Sequence, residues 1–393
     1  MDRVISDMKK PIIIFLISAF TSCSTSNTNL NPSAAEKTAL ILGEMVENSD
    51  TPGLQYIIAT PDKILFRYTG GISNLETHSP MTDATTLHGF SVTKTFTSMA
   101  ILKLEAEGKL RTEDYIQTYL PDLPYQEKIT VRQLMNHTSG IPNPLPLNWS
   151  HLISEHENFD YDKFIRDVLA DNNELDDPPG EEYAYSNIGY LLLGEIIKQV
   201  SGEAYTAYIR NHIIKPLHLS DDGFLGFTIP DTINHARGYI KKWSFLNFGL
   251  NFMFDKSKFM EDSYDGWTQF KYFYINGSPH GGMIGNARGF MTYLQAILTG
   301  DVLLSNTSKQ KMFQPQKTNN GDPIDMCLGW FRGELNGQIY FAHAGGGGGY
   351  YCEIRVYPEI NLASVIMLNR TGVSDDRILD TIDHNFVAGV IDD

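Results

Sequence analysis

Apolar runs bounded by turn residues fall into two groups, one near each end of the chain. The N-terminal group comprises residues 54–59 and 63–68, which are separated by the turn-forming triplet Thr-Pro-Asp. The C-terminal group comprises residues 328–332, 338–343, 350–357 and 362–368. Because strands from both ends can meet in one layer, the pattern predicts an α/β (α+β) fold with an antiparallel sheet built from both termini.

The helical spacing of apolar residues predicts the elements that flank this sheet. Residues 35–48 and 375–390 form the first and last amphipathic helices, and a long helix covers residues 91–107 and stops at Gly108. The stretch from about 110 to 300 has the composition of helices and loops, with many prolines. The sequence therefore predicts a large all-α insertion between the two halves of the sheet.

Residues 1–22 have the features of an export signal and not of a folded domain. Basic residues precede a largely apolar run at 11–20, which is too short to span the ~30 Å hydrocarbon core of a bilayer. Cys23 follows small residues, which resembles a bacterial lipoprotein cleavage site; an ordinary signal peptide with an incidental cysteine is the alternative. Residues 23–35 are predicted to be a flexible tether and 36–393 a single domain. We expect the periplasmic side of the bacterial cell envelope, with membrane contact only through a lipid anchor at Cys23.

Composition narrows the possible partners. The chain has 31 basic and 47 acidic residues and a net charge of −16, which argues against a nucleic-acid partner because like charges repel. A hydrophobic content of 42% allows a large core, and three cysteines exclude a disulfide-built scaffold. Two of them, Cys327 and Cys352, fall on separate predicted strands and can either form a disulfide or remain buried thiols.

Ser91 and Lys94 form the first candidate catalytic group. They stand three residues apart at the start of a predicted helix, so both side chains lie on one face. Apolar neighbours predict that the lysine is partly buried, which lowers its pKa and makes a neutral amine available as a base. The helix N-terminus adds positive potential where an oxyanion would form. The alternative is a capping serine followed by a surface lysine.

Two further motifs supply polar groups. Tyr185 can relay a proton and Asn187 can both donate and accept hydrogen bonds, although a capped helix start before residues 191–200 explains them equally. His343 follows a predicted strand and precedes the glycines at 345–349, where a substrate could lie against the backbone. The alternative there is a flexible hairpin.

Taken in order, S-x-x-K at Ser91, Y-x-N at Tyr185 and H-x-G at His343 resemble the serine β-lactamase and penicillin-binding D-alanyl-D-alanine carboxypeptidase superfamily, closest to its class C-like branch. The resemblance covers roughly residues 36–390. It continues between the motifs in segments 90–97, 104–110, 129–141, 281–283 and 328–330. It implies a β-lactamase/transpeptidase-like fold.

The resemblance also implies a role for each motif residue. Ser91 would be the acylated nucleophile, Lys94 its deprotonating partner and Tyr185 the relay that protonates the leaving group; which of Lys94 and Tyr185 is the base in each step stays open. Asn187 would contact the substrate amide and hold the lysine.

The third motif would complete the substrate site. His343 and Gly345 would bind substrate, and the backbone N–H groups of Ser91 and Gly346 would form an oxyanion hole. His343 stands where penicillin-directed members carry the lysine of K-T-G. A histidine is only partly charged at neutral pH, so this replacement argues against potent β-lactamase activity and is more similar to peptidase and esterase members.

The predicted function is therefore a serine hydrolase that acts through an acyl-enzyme on D-alanyl peptides or β-lactams. An esterase of the same fold and a catalytically silent cell-wall-binding relative are the alternatives. The expected substrate is a small molecule or a peptidoglycan peptide, with no cofactor. No metal site is predicted, because His151 and His156 lack the i, i+4 spacing of a helical zinc pair.

Residues 240–275 are unusually rich in aromatic side chains. They could form an apolar lid or an acyl-binding wall beside the site. The favoured interpretation is that they pack the insertion, since aromatic residues are usually buried.

Overall fold

The computed structural model describes residues 33–252, 255–373 and 377–389. The predicted export signal and Cys23 lie outside these residues. Helix α1 begins at Ala34, because Ser33 accepts a hydrogen bond from the Glu36 N–H and the Glu36 carboxylate accepts one in return. The last two residues of the predicted tether therefore belong to the helix.

The helices are numbered in chain order. They are α1 Ala34–Glu47, α2 Thr93–Ala106, α3 Val131–Met135, α4 Tyr161–Asp171, α5 Asn187–Ser201, α6 Tyr205–Ile209, α7 Phe245–Gly249, α8 Lys256–Phe259, α9 Ser278–Gly281, α10 Ala287–Leu298, α11 Asn306–Met312 and α12 Ile378–Gly389. No helix among the described residues is long and apolar enough to cross a bilayer.

The strands are numbered in the same way. They are β1 Gly53–Ala59, β2 Ile64–Asn74, β3 Ser79–Pro80, β4 Leu87–His88, β5 Ser150–Leu152, β6 Leu225–Gly226, β7 Tyr239–Lys241, β8 Met260–Tyr264, β9 Trp267–Phe270, β10 Phe273–Ile275, β11 Ile284–Gly285, β12 Gln316–Lys317, β13 Pro323–Ile324, β14 Phe331–Leu335, β15 Gln338–Gly347, β16 Tyr350–Tyr357 and β17 Leu362–Leu368.

The main sheet joins the two ends of the chain, as predicted. Its order is β14-β15-β16-β17-β1-β2-β3, and every described pair is antiparallel. The first and last strands of the sequence meet at its centre, where Leu54 pairs with Leu368. Strands β1, β16 and β17 are buried along their whole length, which explains the apolar character of β1 and β17; β16 also buries Glu353 and Arg355.

Helices cover both faces of the sheet. Helices α1 and α12 pack on one face, around Leu42, Tyr56 and Ile382. The larger core lies on the other face and includes α2, α5 and α10. Cys327 and Cys352 are both buried free thiols, so the structure shows the thiol alternative and not the disulfide.

The insertion contains more helix than strand but is not all-α as predicted. It contributes β5–β11 to three small sheets, β10-β5, β4-β11-β6 and β7-β9-β8. Strands β8 and β9 are joined by Asp265 and Gly266, both at positive φ. An Asp-Gly pair between aromatic runs is a strong hairpin signal, and the helical prediction overlooked it.

Two predicted strands near the C-terminus differ in their limits. Strand β14 begins at Phe331, because Gly329 takes φ +85° and breaks the extended backbone of the predicted 328–332 run. Strand β15 extends through Gly347, so three of the five glycines belong to a paired strand and the flexible-hairpin alternative applies only to the final two.

One buried carboxylate connects α12 to the sheet. Asp383 is fully buried and accepts hydrogen bonds from the hydroxyls of Tyr56 on β1, Tyr357 on β16 and Ser364 on β17. Three strands are therefore tied to one side chain of the last helix.

We expect Asp383→Leu to destabilise the fold by several kcal/mol, because each hydroxyl left without an acceptor costs ~1–3 kcal/mol. Urea denaturation of the purified protein measures this loss. The matched control Tyr56→Phe removes one hydroxyl and leaves the acceptor in place, so it should cost only about 1 kcal/mol. A leucine variant as stable as this control would show that the network contributes little.

Candidate active site

Ser91 lies where the central helix of the molecule begins. It occupies the middle of a 3₁₀ turn, Phe90–Val92, which runs directly into α2. The preceding residue, Phe90, has φ +45°, a conformation that costs a non-glycine residue about 1–3 kcal/mol. The Thr93 hydroxyl stabilises the turn by donating to the Phe90 carbonyl at 2.6 Å and accepting from the Met283 N–H at 2.9 Å. The turn presents Ser91 to the cleft.

The Lys94 amine is fully buried and faces three oxygen atoms. It lies 3.2 Å from Ser91 Oγ, 2.8 Å from Asn187 Oδ1 and 2.7 Å from the His280 carbonyl oxygen. The last two atoms only accept hydrogen bonds, whereas a hydroxyl can donate or accept. A neutral amine can therefore satisfy both acceptors with its two N–H groups and direct its lone pair at the Ser91 hydroxyl.

Burial controls the ionisation of this interior. It lowers the pKa of Lys94 well below its usual range, because a charged amine loses its hydration there. Burial also lowers the pKa of His137, His280 and His343. The interior around Ser91 therefore favours neutral bases at physiological pH.

Tyr185 contacts the same hydroxyl. Its phenol interacts with the Ser91 side chain, and Lys94 Nζ lies 5.0 Å from the centre of its ring. Desolvation raises the pKa of Tyr185 above its ordinary value, and the interaction with Ser91 offsets only part of this rise. The phenol is thus protonated at neutral pH and able to donate.

Asn187 is the first residue of α5 and faces both Lys94 and the cleft. The helix begins here because the Ser186 hydroxyl accepts from the Gly189 N–H at 3.1 Å. The Asn187 amide nitrogen donates to Asn143 Oδ1, also at 3.1 Å, which leaves its oxygen for the lysine. Asn187 therefore both begins a capped helix and places a polar group against Lys94.

The glycine strand approaches the serine closely. A methyl group on Gly345 would come within 2.5 Å of the Ser91 backbone nitrogen and 2.6 Å of the Gly89 carbonyl oxygen. Gly345 is therefore required for β15 to pass beside Ser91. Gly346 comes next on the strand and borders the cleft beside Ser91.

His343 lies on the same strand, two residues before Gly345, and is almost completely buried. Its Nδ1 lies 2.9 Å from the Ala344 carbonyl oxygen, which can only accept, so Nδ1 carries the proton. Burial lowers the pKa of His343 to about 3, so the ring is neutral and its Nε2 is a bare acceptor. A histidine in this state does not provide the positive charge of a lysine.

Two histidines near Ser91 were not assigned by the sequence. The His137 ring lies 4.2 Å from the Tyr185 ring, and its Nδ1 accepts from the Ser186 N–H at 3.1 Å. His280 acts through its backbone carbonyl. His137 lies in the 129–141 segment that resembles the family, but sequence spacing does not reveal its contact with Tyr185. The backbone carbonyl of His280 leaves no signal in the sequence, because every residue has one.

The cleft around Ser91 divides into two pockets. The polar pocket has a volume of about 550 Å³, and its polar lining includes Tyr185, His343, Tyr351, Glu353 and Arg377. The apolar pocket has a volume of about 330 Å³, and its walls include Trp149, Leu250, Phe259, Phe270, Phe273 and Ile275.

The aromatic side chains of segment 240–275 therefore have two roles: some pack the insertion and some line the apolar pocket. Some of its side chains are buried: Phe259, Trp267, Phe270 and Phe273. Others are largely exposed: Trp243, Phe245, Phe248 and Phe252. His151 and His156 pack against Tyr274 of this segment and bond to each other at 2.9 Å. Within the described residues, no group of three or more His, Cys, Asp or Glu side chains could hold a metal ion.

Comparison with known sequences gives consistent matches. The family model described as Beta-lactamase matches residues 39–388. Penicillin-binding protein 4* of Bacillus subtilis (strain 168) is 29% identical over 295 residues, which are 73% of this chain and 61% of that protein. Protein flp of Staphylococcus aureus (strain N315) is 32% identical over 202 residues, which are 50% of this chain and 40% of that protein. The chain thus spans less than two thirds of these relatives.

Solved structures share the fold. The octameric penicillin-binding protein homologue from Pyrococcus abyssi has a TM-score of 0.71 at 23% identity, covering 91% of this chain and 77% of that chain. The D-amino acid amidase from Ochrobactrum anthropi SV3, complexed with L-phenylalanine amide, has a TM-score of 0.73 at 18% identity, covering 92% and 99%. The predicted fold class is confirmed. With a family model matching most of its length, the chain belongs to the beta-lactamase family.

Proposed function

We propose that this protein hydrolyses amides or esters through a covalent acyl-enzyme on Ser91. The observation that carries the proposal is the position of the Lys94 amine, whose other two contacts are both obligate acceptors. The contact that remains is the Ser91 hydroxyl, and a base must remove the proton of this hydroxyl to create the nucleophile.

The contacts around Ser91 support an acylation step in which every proton has a donor and an acceptor. Ser91 Oγ attacks the substrate carbonyl carbon and its proton passes to the Lys94 amine. The Tyr185 phenol gives its proton to the departing nitrogen or oxygen as the old bond breaks, and a proton from the lysine ammonium then restores the phenol. Water hydrolyses the resulting ester by the reverse use of the same two groups. The backbone N–H groups of Ser91 and Gly346 are the candidate donors to the oxyanion.

His343 bears on the choice of substrate. A β-lactam or a peptide C-terminus presents a carboxylate, and a neutral histidine with a bare Nε2 offers it no positive charge. Simple amides and esters are therefore proposed ahead of β-lactams, with D-alanyl peptides between them. Two structural neighbours are described as a D-amino acid amidase and a D-stereospecific amidohydrolase, which is consistent with amide substrates. A purely binding role is disfavoured because every polar group that the chemistry requires is present.

The proposed location is the cell envelope. The basic residues, apolar run and Cys23 at the start of the chain support export followed by lipid attachment. A peptidoglycan peptide or a small periplasmic ester or amide is then within reach of the site.

We expect a serine-directed fluorophosphonate probe to label the folded protein at Ser91, with Ser91→Ala as the unlabelled control.

In a panel of nitrocefin, a D-Ala-D-Ala peptide and p-nitrophenyl esters, Lys94→Met and Tyr185→Phe should each lower kcat by roughly 10²–10⁴ because each removes a proton-transfer group. The wild type should turn over nitrocefin least. Absence of labelling in a protein that melts cooperatively would favour the binding alternative.

The activity should rise with pH through the lowered pKa of Lys94, because only its neutral form is a base. The phenol of Tyr185 has a raised pKa, so no falling limb is expected near neutrality. Measuring kcat/KM against pH for the wild type and His343→Gln tests this assignment. The rising limb should stay in place in the variant; a limb that disappears with His343 would contradict it.

Cys23→Ser should convert a membrane-bound protein into a released one, because a lipid chain contributes about 0.8 kcal/mol of membrane affinity per buried CH₂. Fractionation of cells expressing each form, with metabolic labelling by a radioactive fatty acid, measures both properties. An ordinary signal peptide predicts the opposite result, with both forms unlabelled and released.

A further inference from the structure

The two pockets beside Ser91 differ in the groups that border them. Ser91 and Gly346 border both pockets. Of the other polar groups around the nucleophile, Tyr185 borders only the polar pocket and Asn187 only the apolar pocket. A substrate held at Ser91 therefore has two non-equivalent directions in which its two halves can extend.

The position of the proton donor, Tyr185, decides which half of the substrate enters which pocket. Tyr185 is placed to protonate the leaving atom, so the leaving group must lie on its side, in the polar pocket. The half that remains bonded to Ser91 then extends past Asn187 into the apolar pocket. Most of the wall there is aromatic or aliphatic, and Leu250, Phe259, Phe270 and Phe273 are each less than about one tenth exposed.

Leu246 separates the two halves of the cleft. It borders both pockets and is 46% exposed, and it stands close to Gly372 on the facing loop. The helix that carries it, α7, continues directly into the turn that carries Leu250. The 245–250 segment thus forms both the partition of the cleft and one wall of the apolar pocket.

We propose that the substrate carries a bulky apolar acyl group, an aryl or medium-length alkyl chain, which fills the apolar pocket while a polar leaving group occupies the polar pocket. This inference rests on the proposed acyl transfer at Ser91. An apolar acyl group would displace water from about 330 Å³ bounded largely by hydrocarbon. A hydrated or charged acyl group would lose its hydration there without gaining partners.

The polar pocket is mixed in character, with a larger share of polar surface than the apolar pocket. Its lining includes the buried Glu353, whose carboxylate accepts from the Arg355 guanidinium at 2.7 Å, and the Arg377 side chain, which donates to the Tyr340 hydroxyl at 2.8 Å. A leaving group with hydrogen-bonding atoms meets polar partners on this side. The two pockets together favour one orientation of the substrate over its reverse.

A series of p-nitrophenyl esters, from acetate through butyrate and hexanoate to octanoate, tests the proposal with a constant leaving group. In the wild type, kcat/KM should rise about fourfold per added methylene until the apolar pocket is full. Leu250→Trp fills the pocket and should flatten this dependence, so that the hexanoate-to-acetate ratio falls at least tenfold. Leu250→Ala enlarges the pocket and should move the optimum to a longer chain, which keeps the test open if the tryptophan variant does not fold.

Phe252→Ala is the matched control. Phe252 lies two residues after Leu250 on the same turn, is 77% exposed and does not border the apolar pocket. Its chain-length profile should equal that of the wild type. A flat wild-type profile, or a ratio unaffected by both Leu250 variants, would overturn the acyl-pocket proposal while leaving Ser91 acylation intact. Failure of the probe to label Ser91 would instead remove the function on which it rests.

Discussion

The site depends on burying one amine at the end of a helix. Lys94 lies on the first turn of α2, and its acceptors come from α5, α9 and the 3₁₀ turn that holds Ser91. An ammonium ion in such an interior is costly, so the fold favours the neutral amine. The packing of three helices therefore sets the chemistry, because any loosening that admits water would restore the ordinary pKa of lysine.

The sheet imposes the second constraint. Strand β15 must pass so close to the serine that only glycine fits at 345, and its course is set by pairing with β16 and β14. This sheet joins both ends of the chain through β1 and β17, and α12 is tied to it by Asp383. The C-terminal residues, although distant in sequence, thus help to position the substrate side of the cleft.

Several features could be predicted because they are local. The i, i+3 spacing of Ser91 and Lys94 guarantees a shared helix face, and the apolar residues around them signal burial. The all-α insertion was a wrong prediction, because short strands such as β7 and β9 are stabilised by partners distant in sequence and not by their own propensity. The Asp-Gly hairpin was the one local signal of strands in that region. The contact of His137 with Tyr185 joins two different loops and was not predictable.

The sequence alone determined the family and the order of the motifs, since these follow from residue types at fixed spacing. Only the tertiary structure decided the tautomer of His343, the unpaired state of the two buried cysteines and the division of the cleft into a polar and an apolar pocket. Each of these depends on which groups lie within a few ångströms across the fold. Proximity of that kind arises from packing between elements far apart in the chain, and periodicity along the sequence does not encode it directly.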